Sequence, residues 1–226
     1  MLKILHKKLY ILKKTIIRSF LVKRSKNDHA THLPVLLGIS KVYKIKKVVE
    51  FGSGNYSTLT FLNREAFPDL ISLKFYENNL KWHKKISHIL KNDKRAEPNY
   101  VKGEISDHIE PEIISQADLV FIDDSNNSLS RSKTISKVCE YIEDGIIIIH
   151  DYEVPIYVEK SKIIKHSYNF NSLIPNTGIL SNKIEIKKWN LNKINLFIWC
   201  MKNENHLHDL HYWNDKFKKY KMILFN

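Results

Sequence analysis

Acidic and imidazole side chains stand where several apolar runs of this chain stop. Glu50 closes the run Lys47-Val48-Val49, and Gly52, Gly54, Ser57 and Thr58 follow it. Glycines two apart let a backbone turn sharply and lie against a ligand with no side chain intervening. Ser57 and Thr58 are expected to help cap the helix that follows. A carboxylate at position 50 would attract a cationic group and repel a pyrophosphate. Ser57 also stands where the dinucleotide pattern G-x-G-x-x-G needs its third glycine, so that pattern fails. Glu77 closes a second run, 70–76, and a carboxylate there can accept hydrogen bonds from both hydroxyls of a ribose. Asp123 and Asp124 follow Leu119–Ile122, and His150 and Asp151 follow Ile146–Ile149.

These groups meet only if their runs are neighbouring parallel strands. The runs at 119–122 and 146–149 are continuously apolar, as strands covered on both faces are. Between Glu50 and Glu77 there is room for about one β-α-β unit. The order reads as strand, glycine turn, helix, strand, then a helical stripe at Trp82, Ile86 and Ile89 that predicts a core-facing surface. Tyr100-Val101 predicts a short third strand closed by Gly103 and Glu104. A helix is expected over about 130–142, another within 154–165, a turn at 175–178 and a late strand at 196–200. His32, Leu33, Leu36, Leu37, Ile39 and Val42 predict a helix leading into the first strand. The fold class expected is α/β, a doubly wound and mostly parallel seven-stranded sheet.

The formal charge of +13 is uneven: residues 1–26 hold nine Lys or Arg and no acid, leaving +4 to the other 200. Leu2, Leu5, Leu9, Leu12, Ile16 and Phe20 put one apolar face on a helix there. Two readings stay open for it, a helix on an anionic membrane surface or one packed on its own domain or a partner. No apolar run reaches the roughly 18 residues of a membrane span, and lysines interrupt any signal-peptide core. The expected division is residues 1–28 as basic helix and linker and 29–226 as the main domain. Cys139 and Cys200 cannot build a disulfide framework or zinc site, so a reducing compartment, the cytoplasm, is expected, with peripheral membrane association through residues 1–26. His206, His208 and His211 invite a metal reading, but a histidine-rich helical end is more often solvated. Oligomeric state is not readable.

The order Val48-Val49-Glu50-Phe51-Gly52-Ser53-Gly54, Tyr76-Glu77-Asn78, Leu119–Asp124 and Ile148-Ile149-His150-Asp151-Tyr152 resembles the class I S-adenosylmethionine-dependent methyltransferases. It is most similar to small-molecule O-methyltransferases of the catechol type and their sugar and natural-product relatives. The resemblance covers about residues 45–155. It implies S-adenosylmethionine as cofactor, with Glu50, Gly52, Gly54 and Ser57 around its methionine part and Glu77 on its ribose. Glu104 stands where the family often holds the adenine amino group, though a simple turn carboxylate fits equally. Asp123 borders the cofactor and, with His150 and Asp151, is a candidate for catalysis. Asp123 and Asp151 match the family's two metal-binding aspartates, implying Mg²⁺, while Tyr152 replaces its asparagine. The alternative is His150 as general base.

The resemblance thus implies transfer of a methyl group to a hydroxyl of a small molecule or glycan. A non-catalytic adaptor binding a nucleotide-like ligand at a membrane is one alternative reading. A nucleic-acid methyltransferase is the other. The absence of an Asn/Asp-Pro-Pro-aromatic motif and the near-neutral main domain argue against nucleic acid as partner.

Overall fold

The computed structural model describes residues 28–171 and 174–185. The basic segment 1–26, the strand expected at 196–200 and the histidines at 206, 208 and 211 lie outside the described residues. Among the described residues, no helix is long and apolar enough to cross a membrane.

Seven strands form one sheet: β1 (Lys47–Phe51), β2 (Ser72–Glu77), β3 (Ala96–Tyr100), β4 (Leu119–Ile122), β5 (Ile146–His150), β6 (His166–Phe170) and β7 (Thr177–Ser181). Their order is β3-β2-β1-β4-β5-β7-β6. The first five are parallel, and β7 runs antiparallel to both β5 and β6. This is the doubly wound, mostly parallel, Rossmann-like sheet expected. Strand order reverses between β1 and β4, and there the carboxyl ends of parallel strands open a crevice.

The helices are α1 (Leu33–Val42), α2 (Thr58–Leu62), α3 (Leu80–Leu90), α4 (Pro111–Ser115), α5 (Ser128–Tyr141) and α6 (Pro155–Lys160). Because strand side chains alternate, one set of residues faces each layer. Val48, Leu73, Phe75, Leu119, Phe121, Ile146 and Ile148 pack with Leu36, Ile39, Phe61 and Ile86 on one face. Val49, Phe51, Val120, Ile122, Ile147 and Ile149 pack with Ile114, Ile135, Val138 and Tyr157 on the other. Runs such as Leu119–Ile122 are buried throughout because both faces are covered.

Three expectations need correction. β3 begins four residues before Tyr100, at Ala96, and tolerates Pro98 because among the described residues it is an edge strand, with no partner on one side. Ile89 is 51% exposed, and Leu90 takes its place in the core beside Ile86. The segment 175–178 is only partly a turn. Thr177 and Gly178 already belong to β7, and Gly178 lies against the Tyr152 ring, where an added Cβ would sit 2.4 Å from the ring.

Candidate functional site

The register decides which side chains meet. Phe51 pairs with Tyr76 and Ile122, and Ile122 with Ile149. One residue further on, Glu77, Gly52, Asp123 and His150 therefore form a row across four strand tips. The Gly52 amide donates to Tyr76 O at 2.9 Å, and the Asp123 amide donates to Phe51 O at 2.8 Å.

On the β1–β2 side of the row, Gly52 has φ +86°, and a Cβ there would lie 2.2 Å from the Asp123 carbonyl oxygen. Only glycine fits. The turn is fastened to β2 by Glu77, whose Oε2 accepts from the Ser53 amide (3.2 Å) and hydroxyl (3.1 Å). Glu77 Oε1 accepts from the Asn79 amide at 2.8 Å. Both lone pairs of Oε2 are thus engaged, and Oε1 keeps capacity for one further donor. Trp82, on α3, donates its indole N–H to the Ser53 carbonyl. Beneath the turn, the Gly54 amide donates to Thr58 Oγ1, which donates to Glu50 Oε2 at 2.7 Å. Glu50 is fully buried, and its Oε1 has no hydrogen-bond partner. Burial pushes its carboxyl up to about 8, and the hydroxyls of Ser57 and Thr58 only partly oppose this. Ser57 occupies the N-cap position of α2 in helical geometry, without the expected side-chain cap.

On the β4–β5 side, the dominant group is Arg131, which the sequence reading did not single out. It is buried in the second turn of α5. Its Nη2 lies 2.8 Å from Asp123 Oδ1, its Nη1 2.7 Å from Asp151 Oδ2, and its Nε 3.8 Å from Asp124 Oδ1. Asp151 adopts φ 57°, a left-handed conformation that Asp tolerates better than most residues. Asp124 accepts from Thr134 Oγ1 at 2.6 Å. Burial still pushes it up to about 6. Asp123 is partly buried, but His150 and Arg131 outweigh its desolvation and hold it below the usual carboxylate range. Asp123 does not cap α5, since Asn127 takes that role by accepting from the Leu129 and Ser130 amides.

His150 sits between Asp123 and Thr31. Its Nδ1 is 3.3 Å from Asp123 Oδ2, and its Nε2 is 2.9 Å from Thr31 Oγ1. Burial opposes a charge on His150, yet the bond to Asp123 raises its pKa above the usual value. The His32 ring meets the His150 ring edge-on at 5.0 Å and lies 4.8 Å from Phe121. Burial, with His150 nearby, pushes His32 down to about 3, so its imidazole is neutral.

The structure therefore brings Glu50, Gly52, Gly54, Ser57 and Glu77 together on one side of the row. It brings Asp123, Asp124, His150 and Asp151 together on the other. Glu104 lies apart from the row, where its Oε1 accepts from Ser130 Oγ and Oε2 is 3.7 Å from Lys133 Nζ. The implied Mg²⁺ site does not fit these residues. The charge between Asp123 and Asp151 is already supplied by the Arg131 guanidinium, bonded to both. Tyr152, at the asparagine position, points into the core and bonds Ser161 at 2.8 Å.

No family model and no curated protein matches the sequence. Solved structures do match in shape. Spermidine synthase from Thermotoga maritima superposes with TM-score 0.52 at 17% identity, over 75% of this chain and 66% of that one. An N-methyltransferase from Bradyrhizobium japonicum gives TM-score 0.49 at 8% identity, over 67% and 93%. An O-methyltransferase family protein from Burkholderia thailandensis gives 0.45 at 12%, over 69% and 57%. The chain spans just under two thirds of the synthase's length. The likeness to that synthase shows a shared fold.

Proposed function

We propose that this chain is an S-adenosylmethionine-dependent methyltransferase acting on a hydroxyl of a small molecule or glycan. The observation that carries the reading is Glu50. It is a fully buried carboxyl with no cation paired to it among the described residues, directly beneath the glycine turn at the strand tips. A cationic ligand seated there supplies the missing charge. Glu77, fixed by three amide and hydroxyl donors, offers its remaining Oε1 site to a ribose hydroxyl, and the second hydroxyl is met where it takes the place of the Ser53 hydroxyl on Oε2. The cofactor supplies an electrophilic methyl group, and the protein aligns the acceptor for in-line attack. A sugar hydroxyl is a weak nucleophile at neutral pH. Its activation is assigned to the Asp123–His150 pair, in which Asp123 gives Oδ1 to Arg131 and keeps Oδ2 facing His150 Nδ1.

Calorimetry on the full chain tests this. Micromolar binding of S-adenosylmethionine or its demethylated product is expected, and Gly52→Val should abolish it. No binding, or tighter binding of NAD, would overturn the reading. Binding without transfer of a labelled methyl group to any of a panel of hydroxyl acceptors would favour the adaptor reading. The basic segment 1–26 is proposed to hold the enzyme at an anionic surface, tested by salt-sensitive vesicle binding of full-length and truncated chains.

A further inference from the structure

We infer that His32, His150 and Asp123 form a binding site for one divalent transition-metal ion, with Thr31 holding His150 in the ligating tautomer. Among the described residues this is the group whose donor atoms converge, one from each residue, all within 4.8 Å of one another. Ligand atoms around a tetrahedral ion with bonds near 2.1 Å stand about 3.4 Å apart. Small side-chain rotations close that gap.

The proton inventory points the same way. Thr31 has one hydroxyl proton, and it donates this to Pro175 O at 2.9 Å. The 2.9 Å contact with His150 Nε2 is then made by an Nε2–H donating to Thr31. Nδ1 is thus left facing Asp123 Oδ2 at 3.3 Å, and only a proton or a cation can bridge two such acceptors. A ligating histidine almost always gives its other N–H to an oxygen, which is the role Thr31 plays here.

His32 supplies the independent observation. It is buried, and neither ring nitrogen has a hydrogen-bond partner. A buried imidazole without partners costs free energy that a bound ion removes. Asp123 divides its two oxygens, Oδ1 to Arg131 and Oδ2 to His150. The site therefore shares Asp123 with the Asp123–Asp151 pair that Arg131 fills, but uses the oxygen that Arg131 leaves.

Two imidazoles and one carboxylate suit Zn²⁺, Co²⁺ or Mn²⁺ and disfavour Mg²⁺, which prefers oxygen ligands. Asp123 is 24% exposed, so open coordination positions would face the crevice beside Gly52. An acceptor hydroxyl bound there would lose its proton more readily. That role rests on the methyltransferase reading, whereas the metal site does not.

The test is direct metal binding by full-length, chelator-stripped protein. Titration with Co²⁺ should give one equivalent with visible d–d absorption, displaced by Zn²⁺ and not by equimolar Mg²⁺. His32→Gln should abolish the signal, and Thr31→Val should weaken it about ten- to a hundred-fold. If His32→Gln does not fold by circular dichroism, Asp123→Asn carries the same arm. His206, His208 and His211 are replaced by glutamine in a parallel sample. Loss of the signal there, with retention in His32→Gln, would overturn the assignment. So would the absence of saturable Co²⁺ or Zn²⁺ binding by the wild type. Calorimetry with S-adenosylmethionine on the same samples keeps the two readings apart. Cofactor binding without metal overturns only the metal site, and metal without cofactor overturns only the methyltransferase.

Discussion

The two halves of the strand-tip row treat buried charge in opposite ways. At β4 and β5 the carboxylates of Asp123 and Asp151 are matched by Arg131, and His150 adds a second partner to Asp123. At β1 and β2 there is no buried cation among the described residues. Glu50 avoids the cost of an unpaired charge by holding its proton, and Glu77 is met only by neutral donors. A self-neutralised half can be rigid before any ligand arrives. A half that lacks a cation becomes charge-balanced only when a cationic ligand binds, so its affinity and its electrostatics are linked.

Breaking the matched half should cost most. Arg131→Met leaves Asp123 and Asp151 without their guanidinium and Asp124 with one partner fewer. Removing one side of a buried ion pair typically costs about 3–5 kcal/mol. The urea midpoint should fall accordingly, and Asp151→Asn added to Arg131→Met should recover part of the loss. A midpoint unchanged in Arg131→Met would mean the guanidinium is dispensable to the balance.

Removing the Glu50 charge sharpens the contrast through pH. Its folded pKa, about 8, lies above the ordinary value of 4.5, so the folded state holds the extra proton between them. Stability contributed by that proton is fully present below pH 4.5 and is lost as pH rises toward 8. Asp124, raised to about 6, adds a contribution of the same sign at lower pH. His150, also raised, adds one above its ordinary value of 6.5. Glu50→Gln should therefore flatten, without abolishing, the decline in urea midpoint between pH 6 and 8. Parallel declines in the two proteins would show that Glu50 does not hold a proton.

The row itself was legible because buried parallel strands write themselves as unbroken apolar runs, so each tip residue could be counted off. What hid Arg131 is its setting. It lies in Ser128-Leu129-Ser130-Arg131-Ser132-Lys133, a polar stretch that reads as a solvated helix start. Nothing local shows that an arginine eight residues past Asp123 folds back under it. His32 was read only as part of the helix leading into the first strand and Thr31 was not singled out, since a contact across 119 positions leaves no trace in spacing. Pro175-Asn176-Thr177-Gly178 has turn composition, yet Gly178 is small because the Tyr152 ring covers it. The acid pair at 123 and 151 did announce the need for a counter-charge, and the helix supplies it.

On the cation-free side, Glu77→Ala should weaken S-adenosylmethionine binding by about 1–3 kcal/mol, the cost of leaving hydroxyls unpaired. Stability should change less than in Arg131→Met, because Glu77 balances no cation. Equal losses of affinity and stability would mean that Glu77 acts mainly by fastening Ser53.

The mildest change tests whether the glycine turn is held ready or shaped by its ligand. Trp82 reaches from α3 to give its indole N–H to the Ser53 carbonyl, while its ring packs at the edge of the core and carries Lys85 Nζ 4.3 Å above it. Trp82→Phe keeps an aromatic ring there and deletes only the donor. A single neutral hydrogen bond is worth about 0.5–1.5 kcal/mol net. Ser53 is also tied to Glu77 through its amide and hydroxyl, so the turn keeps two of its three fastenings. The urea midpoint should barely move. Cofactor affinity should fall by roughly twofold to thirteenfold, as that energy range converts. Affinity equal to wild type would show that Glu77 alone sets the turn. A loss as large as that of Glu77→Ala would show instead that the indole is the principal restraint on Ser53.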